Sequence, residues 1–147
     1  MKMHSLRRWG VAGSLVGALA LGGCGHMGRG SEQTWTMNTA ESVPAAVGQV
    51  KVAEEKDGNS KVKVEVQHLA APENLKQPAS TYVVWLKPDS GTAQNVGALI
   101  IDKDQKGKLE TKTAFKEFKV FVTAEADANV TSPSQTTVMA TKVVVPT

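Results

Sequence analysis

Valine alternates with polar residues without interruption across residues 61–67. Successive side chains of a β-strand point to opposite faces, so this pattern puts three valines on a buried face and their neighbours in water. The preceding Asp57, Gly58 and Asn59 favour a tight turn, because glycine adopts positive φ without strain and Asp and Asn tolerate left-handed backbone. Residues 47–67 are therefore predicted to form a β-hairpin.

Alternation of apolar and polar residues, with turn-forming residues between the alternating runs, continues through the rest of the chain. The further predicted strands are Thr81–Leu86, Val96–Ile101, Lys108–Thr113, 118–123 and Thr136–Val145. The first of these is β-branched and aromatic, which favours a central strand with Trp85 as a core anchor. Strands 96–101 and 108–113 are expected to pair as a second hairpin. Six to eight short strands without an amphipathic helix predict an all-β fold, a small immunoglobulin-like two-sheet β-sandwich.

Residues 1–24 have the three parts of an export signal. A basic start with Lys2, Arg7 and Arg8 is followed by an apolar run and by small residues before Cys24. The apolar run has about 13 residues, whereas a stable membrane span needs roughly 20, so a cleaved leader is expected. The chain contains one cysteine. An exported domain that used disulfides would carry cysteines in pairs, so the domain is expected to be stable without them.

Residues 21–24, Leu-Gly-Gly-Cys, resemble the bacterial lipobox. The resemblance implies that the leader 1–23 is removed and that lipid on Cys24 anchors the chain, since more than one acyl chain exceeds the marginal anchoring of a single chain. In lipoproteins retained in the inner membrane, the residue after the lipidated cysteine is Asp, whereas this chain has Gly25. The resemblance therefore implies sorting to the outer membrane in a bacterium with two membranes. The expected location is the extracytoplasmic cell envelope, on the periplasmic side or the cell surface. An ordinary secretory signal is the alternative.

Three parts make up the expected domain organisation. They are a lipoprotein signal peptide at 1–23, lipidated Cys24 with a flexible tether at 24–43, and the β-sandwich domain at 44–147. The segment before residue 44 is polar and has no sustained period, which is typical of a tether. A short strand around Thr34–Met37, with Trp35 packed on the domain, is the alternative within it.

The charge balance bears on possible partners. Lys and Arg number 17 and Asp and Glu 14, which gives a formal net charge of +3. Three of the basic residues, Lys2, Arg7 and Arg8, lie in the leader, so the remaining chain is balanced. Without a one-sided positive field, nucleic acid is not expected as a partner. The expected partners are the membrane, through lipid on Cys24, and a protein of the envelope.

The segment from Asp102 to Gly107 has some features of a calcium loop, because hard cations favour clustered carboxylates such as those of Asp102 and Asp104. Lys106 and Thr113 stand where further oxygen ligands would be required. The segment is therefore predicted to be a hairpin turn without a metal.

Catalytic signatures are absent from the sequence. His68 ends the valine face of the first hairpin and is expected to be an edge or core histidine. The chain contains no G-x-S-x-G or H-E-x-x-H motif and no nucleophile beside a clear base. We therefore predict a non-catalytic binding, sensing or structural module that needs no cofactor. The alternative is an exported enzyme with an unrecognised site.

Four short motifs follow one another from Thr81 onward. They are a Tyr-x-x-Trp strand at 82–85, a Val-Thr-x-Glu strand at 122–125, a Pro-containing turn at 132–134 and a valine-rich closing strand at 143–145. In this order they resemble the extracytoplasmic C-terminal domain of anti-sigma-K (RskA-type) regulators, over about half of the chain. The resemblance implies a β-sandwich fold rather than a role. That family has a sigma-binding segment and a membrane span upstream, where this chain has its leader, so direct sigma-factor binding is not expected.

Overall fold

Eight antiparallel β-strands form the fold in the computed structural model, which describes residues 31–146. The strands are β1 (Gln33–Thr39), β2 (Val47–Glu54), β3 (Ser60–Gln67), β4 (Thr81–Pro88), β5 (Gln94–Leu99), β6 (Gly107–Thr113), β7 (Glu117–Glu125) and β8 (Thr137–Val144). A short 3-10 helix at Pro72–Asn74 lies between β3 and β4. The prediction of an all-β fold is confirmed.

The strands belong to one sheet, in the order β5-β4-β7-β8-β1-β2-β3-β6. Strand β1 pairs with β2 through residues 33–37 and with β8 through Asn38 and Thr39. One strand therefore continues from one half of the sheet into the other, and the sheet curls until it is nearly closed into a barrel. For this reason the predicted immunoglobulin-like sandwich, which requires two separate sheets, is not clearly present.

The edge strands β5 and β6 meet where the barrel nearly closes. The predicted hairpin between them is wrong, because β5 hydrogen-bonds to β4 and β6 to β3, and an isolated bridge from Ile101 to Gly107 is the pairing found between these two edges. A Cβ atom on Gly97 (φ +136°) would lie 3.0 Å from Cδ1 of Leu109, so the missing side chain makes room for the facing strand.

The first predicted hairpin is confirmed. Strands β2 and β3 pair along their whole length, and residues 55–59 form the turn. Gly58 has φ +82°, and the backbone N–H of Asn59 donates a hydrogen bond to Oδ1 of Asp57 at 3.0 Å. Except for Val47, which is 47% exposed, the valines of both strands are buried in the barrel interior, which is filled from every strand. The alternating pattern therefore describes this half of the barrel correctly.

Regular β-structure begins before the predicted boundary at residue 44. The strand that the sequence allowed around Thr34–Met37 is present as β1, with Trp35 packed against the core and Met37 buried in it. The predicted signal peptide and Cys24 lie outside the described residues. From Ser31 to Pro146, no helix has the length and hydrophobicity needed to cross a membrane.

Candidate functional site

Strands β4 and β7 are buried on both faces. Tyr82 and Val84 face the barrel interior, whereas Val83 and Trp85 face outward and form a second cluster with Phe121. The rings of Trp85 and Phe121 are stacked, with centroids 6.3 Å apart and an interplanar angle of 14°. The predicted burial of Trp85 is confirmed, since its exposed fraction is 0%. Its side chain nevertheless lies outside the main core.

The loop between β7 and β8, residues 126–136, covers this second cluster. Val130 of the loop packs against the cluster. Nδ2 of Asn95 donates hydrogen bonds to the carbonyl oxygens of Ala128 and Val130, at 2.8 and 2.9 Å. A side chain of β5 therefore fixes the loop across the outer face of the sheet.

A buried chain of hydrogen bonds lies under the same loop. Nε1 of Trp85 donates to Oγ1 of Thr123 at 2.8 Å, and that hydroxyl donates to Oε1 of Glu125 at 2.5 Å. The backbone N–H of Ser134 donates to the same carboxylate oxygen at 2.8 Å. Glu125 is 6% exposed and forms no ion pair with a described residue. Donors from a hydroxyl and an amide thus satisfy this buried carboxylate oxygen.

A hydroxyl beside a carboxylate is an arrangement that can activate a nucleophile. Here the side chain of Thr123 is completely buried and already hydrogen-bonded on two sides. A substrate does not reach it while the loop is in place. The network therefore fixes the position of the loop and does not form an open reaction centre.

Three lysines lie side by side near one end of the outer face, and we call them the lysine row. Lys87 of β4 is opposite Lys119 of β7, which is opposite Lys142 of β8. Lys142 forms ion pairs with Asp89 at 3.2 Å and Glu117 at 2.6 Å. Lys87 and Lys119 form no ion pair with any of residues 31–146. Like charges opposite each other on neighbouring strands are unfavourable for folding.

Lys87 and Lys119 line a cleft of about 600 Å³ that is open to solvent. Residues 91–93 and 131–133 form its other walls. Nζ of Lys119 lies 5.4 Å from the centroid of the Phe121 ring, so the ammonium group is held above the aromatic floor. Two unpaired ammonium groups beside hydroxyl-bearing loops can receive an anionic group. This cleft is the candidate binding site.

The outer face of β2, β3 and β6 has a different charge arrangement. Glu110 forms ion pairs with Lys61 and Lys108, each at 2.9 Å, and Lys51 pairs with Glu65 at 2.6 Å. The hydrogen bonds from Lys61 and then Lys108 lower the pKa of the Glu110 carboxyl to about 2. The lysines of this face are therefore matched by carboxylates, unlike the two lysines of the cleft.

The residues singled out from the sequence do not meet in one place. Oδ1 of Asp102 accepts hydrogen bonds from the backbone N–H groups of Asp104 and Lys106, both at 2.9 Å, and the segment forms a turn as predicted. His68 directly follows β3, is exposed and has φ +56°, so it is not a core histidine, and of the two predicted positions the edge remains. Cys24 lies outside the described residues. Between Ser31 and Pro146 there is no group of three or more His, Cys, Asp or Glu residues that could hold a metal ion.

Sequence reasoning missed the lysine row, because its members lie on three different strands, and only strand order and register bring them side by side. In the local sequence, Lys119 alternates with the buried neighbours of β7. This pattern predicts that Lys119 is exposed, but it does not predict that other lysines lie beside it. In comparisons with known proteins, no family model and no curated protein matches this chain.

Proposed function

We propose that this chain is a lipid-anchored protein of the bacterial cell envelope, and that its β domain is a non-catalytic binding, sensing or structural module. The observation that carries the anchor is the Leu-Gly-Gly-Cys box at 21–24 behind a basic and apolar leader. Strand β1 begins at Gln33, so residues 25–32 separate Cys24 from the sheet. Such a segment spans at most about 29 Å when fully extended. The domain would therefore stay close to the lipid surface, on the outer membrane where two membranes exist.

A binding role is supported by the contrast between the two features of the outer face. The cleft beside Lys87 and Lys119 is open and carries unpaired charge, whereas the hydroxyl–carboxylate pair of Thr123 and Glu125 is closed. Open polar clefts suit ligand binding, while an enzyme needs its reacting groups within reach of substrate. An exported enzyme, the alternative, would have no accessible nucleophile at this network.

We also propose that the two halves of the barrel correspond to the two layers of a β-sandwich of the RskA type. The halves would be β6-β3-β2-β1 and β5-β4-β7-β8. In support, the resembling motifs at 82–85 and 122–125 lie on the adjacent strands β4 and β7, and β1 joins β8 through only two residue pairs. Hydrogen exchange tests this proposal, since the Ala40 amide, which donates to the carbonyl oxygen of Val138 at 2.9 Å where β1 meets β8, should exchange before the amides of the β4–β7 ladder. Equal protection of both would favour a continuous barrel.

Metabolic labelling tests the anchor. The full chain, expressed in bacteria with labelled palmitate, should incorporate label, and Cys24→Ser should incorporate none. Gly25→Ser is the matched control, because it changes a small neighbour and leaves the thiol in place. Equal label in the wild type and Cys24→Ser would contradict lipidation. Membrane fractionation of the same cells tests sorting, and recovery with the inner membrane would contradict the proposed outer-membrane location.

A further inference from the structure

We infer that the lysine row docks one end of the barrel onto the anionic phospholipid headgroups of the membrane that holds the chain. The inference rests on the proposed lipid anchor at Cys24. It goes beyond that anchor because it gives the folded domain a membrane contact of its own, through the unpaired lysines Lys87 and Lys119.

The lysine row lies at the end of the barrel where the anchored segment enters. Gln33, the first residue of β1, lines the same small pocket as Val145 and Pro146, which follow β8. Lys142 lies near the end of β8 and is opposite Lys119. A chain held at Cys24 would therefore present this end, and the lysine row with it, to the lipid surface.

Most carboxylates at this end form ion pairs with lysines, and one of these lysines is Lys142 of the lysine row. The ion pairs are Lys112–Glu55, Lys116–Glu54, Lys142–Asp89 and Lys142–Glu117. The carboxylate of Asp57 accepts a hydrogen bond from the turn backbone. Within the lysine row, three lysines face the two carboxylates of Asp89 and Glu117, so one positive charge is in excess there.

The loops at the opposite end of the barrel are net negative. Its loops contain the carboxylates Glu41, Glu73, Asp102, Asp104 and Asp127 and the lysines Lys76, Lys103 and Lys106. An anionic surface would repel this opposite end, whereas the end with the lysine row offers it the unpaired Lys87 and Lys119. The charge distribution and the position of β1 thus favour the same orientation.

A phosphodiester headgroup suits the cleft chemically. It is a compact anion with several acceptor oxygens, and the cleft offers the ammonium groups of Lys87 and Lys119 and the loop residues Thr92, Thr131 and Ser132. Each basic side chain near an anionic membrane surface shifts the equilibrium from undocked towards docked protein by about five-fold. Lys87 and Lys119 together should therefore shift this equilibrium on the order of 25-fold. This contribution should vanish at about 1 M salt, where the screening length is about 3 Å.

Lysine acylation followed by mass spectrometry tests the docking. The full chain is reconstituted into vesicles of phosphatidylcholine alone or of phosphatidylcholine mixed with phosphatidylglycerol. We expect Lys87 and Lys119 to react more slowly in the anionic vesicles, by up to about 25-fold, and at equal rates in both vesicle types at high salt. Lys103 and Lys106, at the opposite end, are internal controls and should react equally in both.

A variant pair gives an independent readout. Energy transfer from the tryptophans to a dansyl-labelled headgroup should fall in Lys87→Gln with Lys119→Gln. It should stay unchanged in the matched control, Lys103→Gln with Lys106→Gln. All four side chains are solvent-exposed, so folding should not be affected.

Three results would overturn the inference. They are equal acylation in both vesicle types, equal slowing at the two ends of the barrel, and protection of Lys87 and Lys119 by inorganic phosphate without vesicles. The last would assign the cleft to a soluble anion. Palmitate labelling is a separate readout, so failure of the anchor and failure of docking are distinguishable. Slower acylation of Lys87 and Lys119 with anionic vesicles would support docking even if Cys24 carried no lipid.

Discussion

Trp85 offers the sharpest test of the outer cluster. Its side chain is completely buried, stacked on Phe121 and covered by the β7–β8 loop. Truncation of a buried aromatic to alanine costs about 3–5 kcal/mol, and small domains are stable by roughly 5–15 kcal/mol. The lower part of that range, about 3 kcal/mol, is expected for Trp85→Ala, because the covering loop can move inward and partly fill the space.

Trp85→Phe separates the ring from its hydrogen bond. The variant keeps most of the apolar contact and loses the Nε1–H donor, while Thr123 still donates its own hydroxyl hydrogen to Glu125. Loss of that one donor should lower the free energy of unfolding by about 1–2 kcal/mol. The ring should therefore account for more of the stability than the hydrogen bond.

Urea unfolding of residues 25–147, followed by far-ultraviolet circular dichroism, measures both values. Ile100→Ala is the matched control, because this apolar side chain is 73% exposed and its truncation should change stability by no more than about 0.5 kcal/mol. An unchanged midpoint for Trp85→Ala would refute the role of the outer cluster. Equal losses for Trp85→Ala and Trp85→Phe would show that the hydrogen bond, and not ring packing, dominates.

Four further predictions concern the rest of the barrel. The Glu110 carboxyl should titrate with a pKa of about 2 when followed by nuclear magnetic resonance. Its stabilising effect on the fold should therefore be full above pH 4.5 and be lost as the pH falls towards 2. A measured pKa near 4.5 would contradict the ion pairs. Gly107→Ala should lower the free energy of unfolding, measured in urea, by roughly 1–3 kcal/mol. The new Cβ would lie 2.8 Å from Cδ1 of Ile101 and 2.9 Å from the carbonyl oxygen of Ile100, just after β5. Unchanged stability would mean that β5 and β6 are not tightly packed at this point. Ser60→Ala should leave the same measurement unchanged or raise it by up to about 1 kcal/mol, since the buried Oγ has no hydrogen-bond partner among the described residues; a clear loss would reveal a partner. Thermal melts in chelator and in millimolar calcium should coincide, and a calcium-dependent rise lost in Asp102→Asn with Asp104→Asn would contradict the metal-free turn.

The parts of the fold that follow from local sequence were predicted correctly. In β3 each valine is buried and each neighbour is at least partly exposed, so the period of two indicates both the strand and its buried face. Strand β4 breaks this rule, because five consecutive side chains from Tyr82 to Leu86 are buried. A continuous apolar run predicts burial on both faces but not what covers the second face. Here the cover is a polar loop held by Asn95, which is distant in sequence, so local patterns could not have found it.

The incorrect hairpin and the missed lysine row have the same cause, because both depend on strand order and register, which local sequence does not determine. Core packing requires Phe118 and Val120 to face inward, which turns Lys119 outward, and the pairing of β4 with β7 then sets Lys87 beside it. A slip of one residue would bring every lysine of the row into the core, so the register is strongly specified. Packing nevertheless demands only a polar residue at each of these positions, and Thr or Gln would avoid the repulsion between neighbouring lysines. The packing of the barrel therefore does not explain why two adjacent lysines lack carboxylate partners, and the anionic surface that we infer at this end of the barrel would explain it.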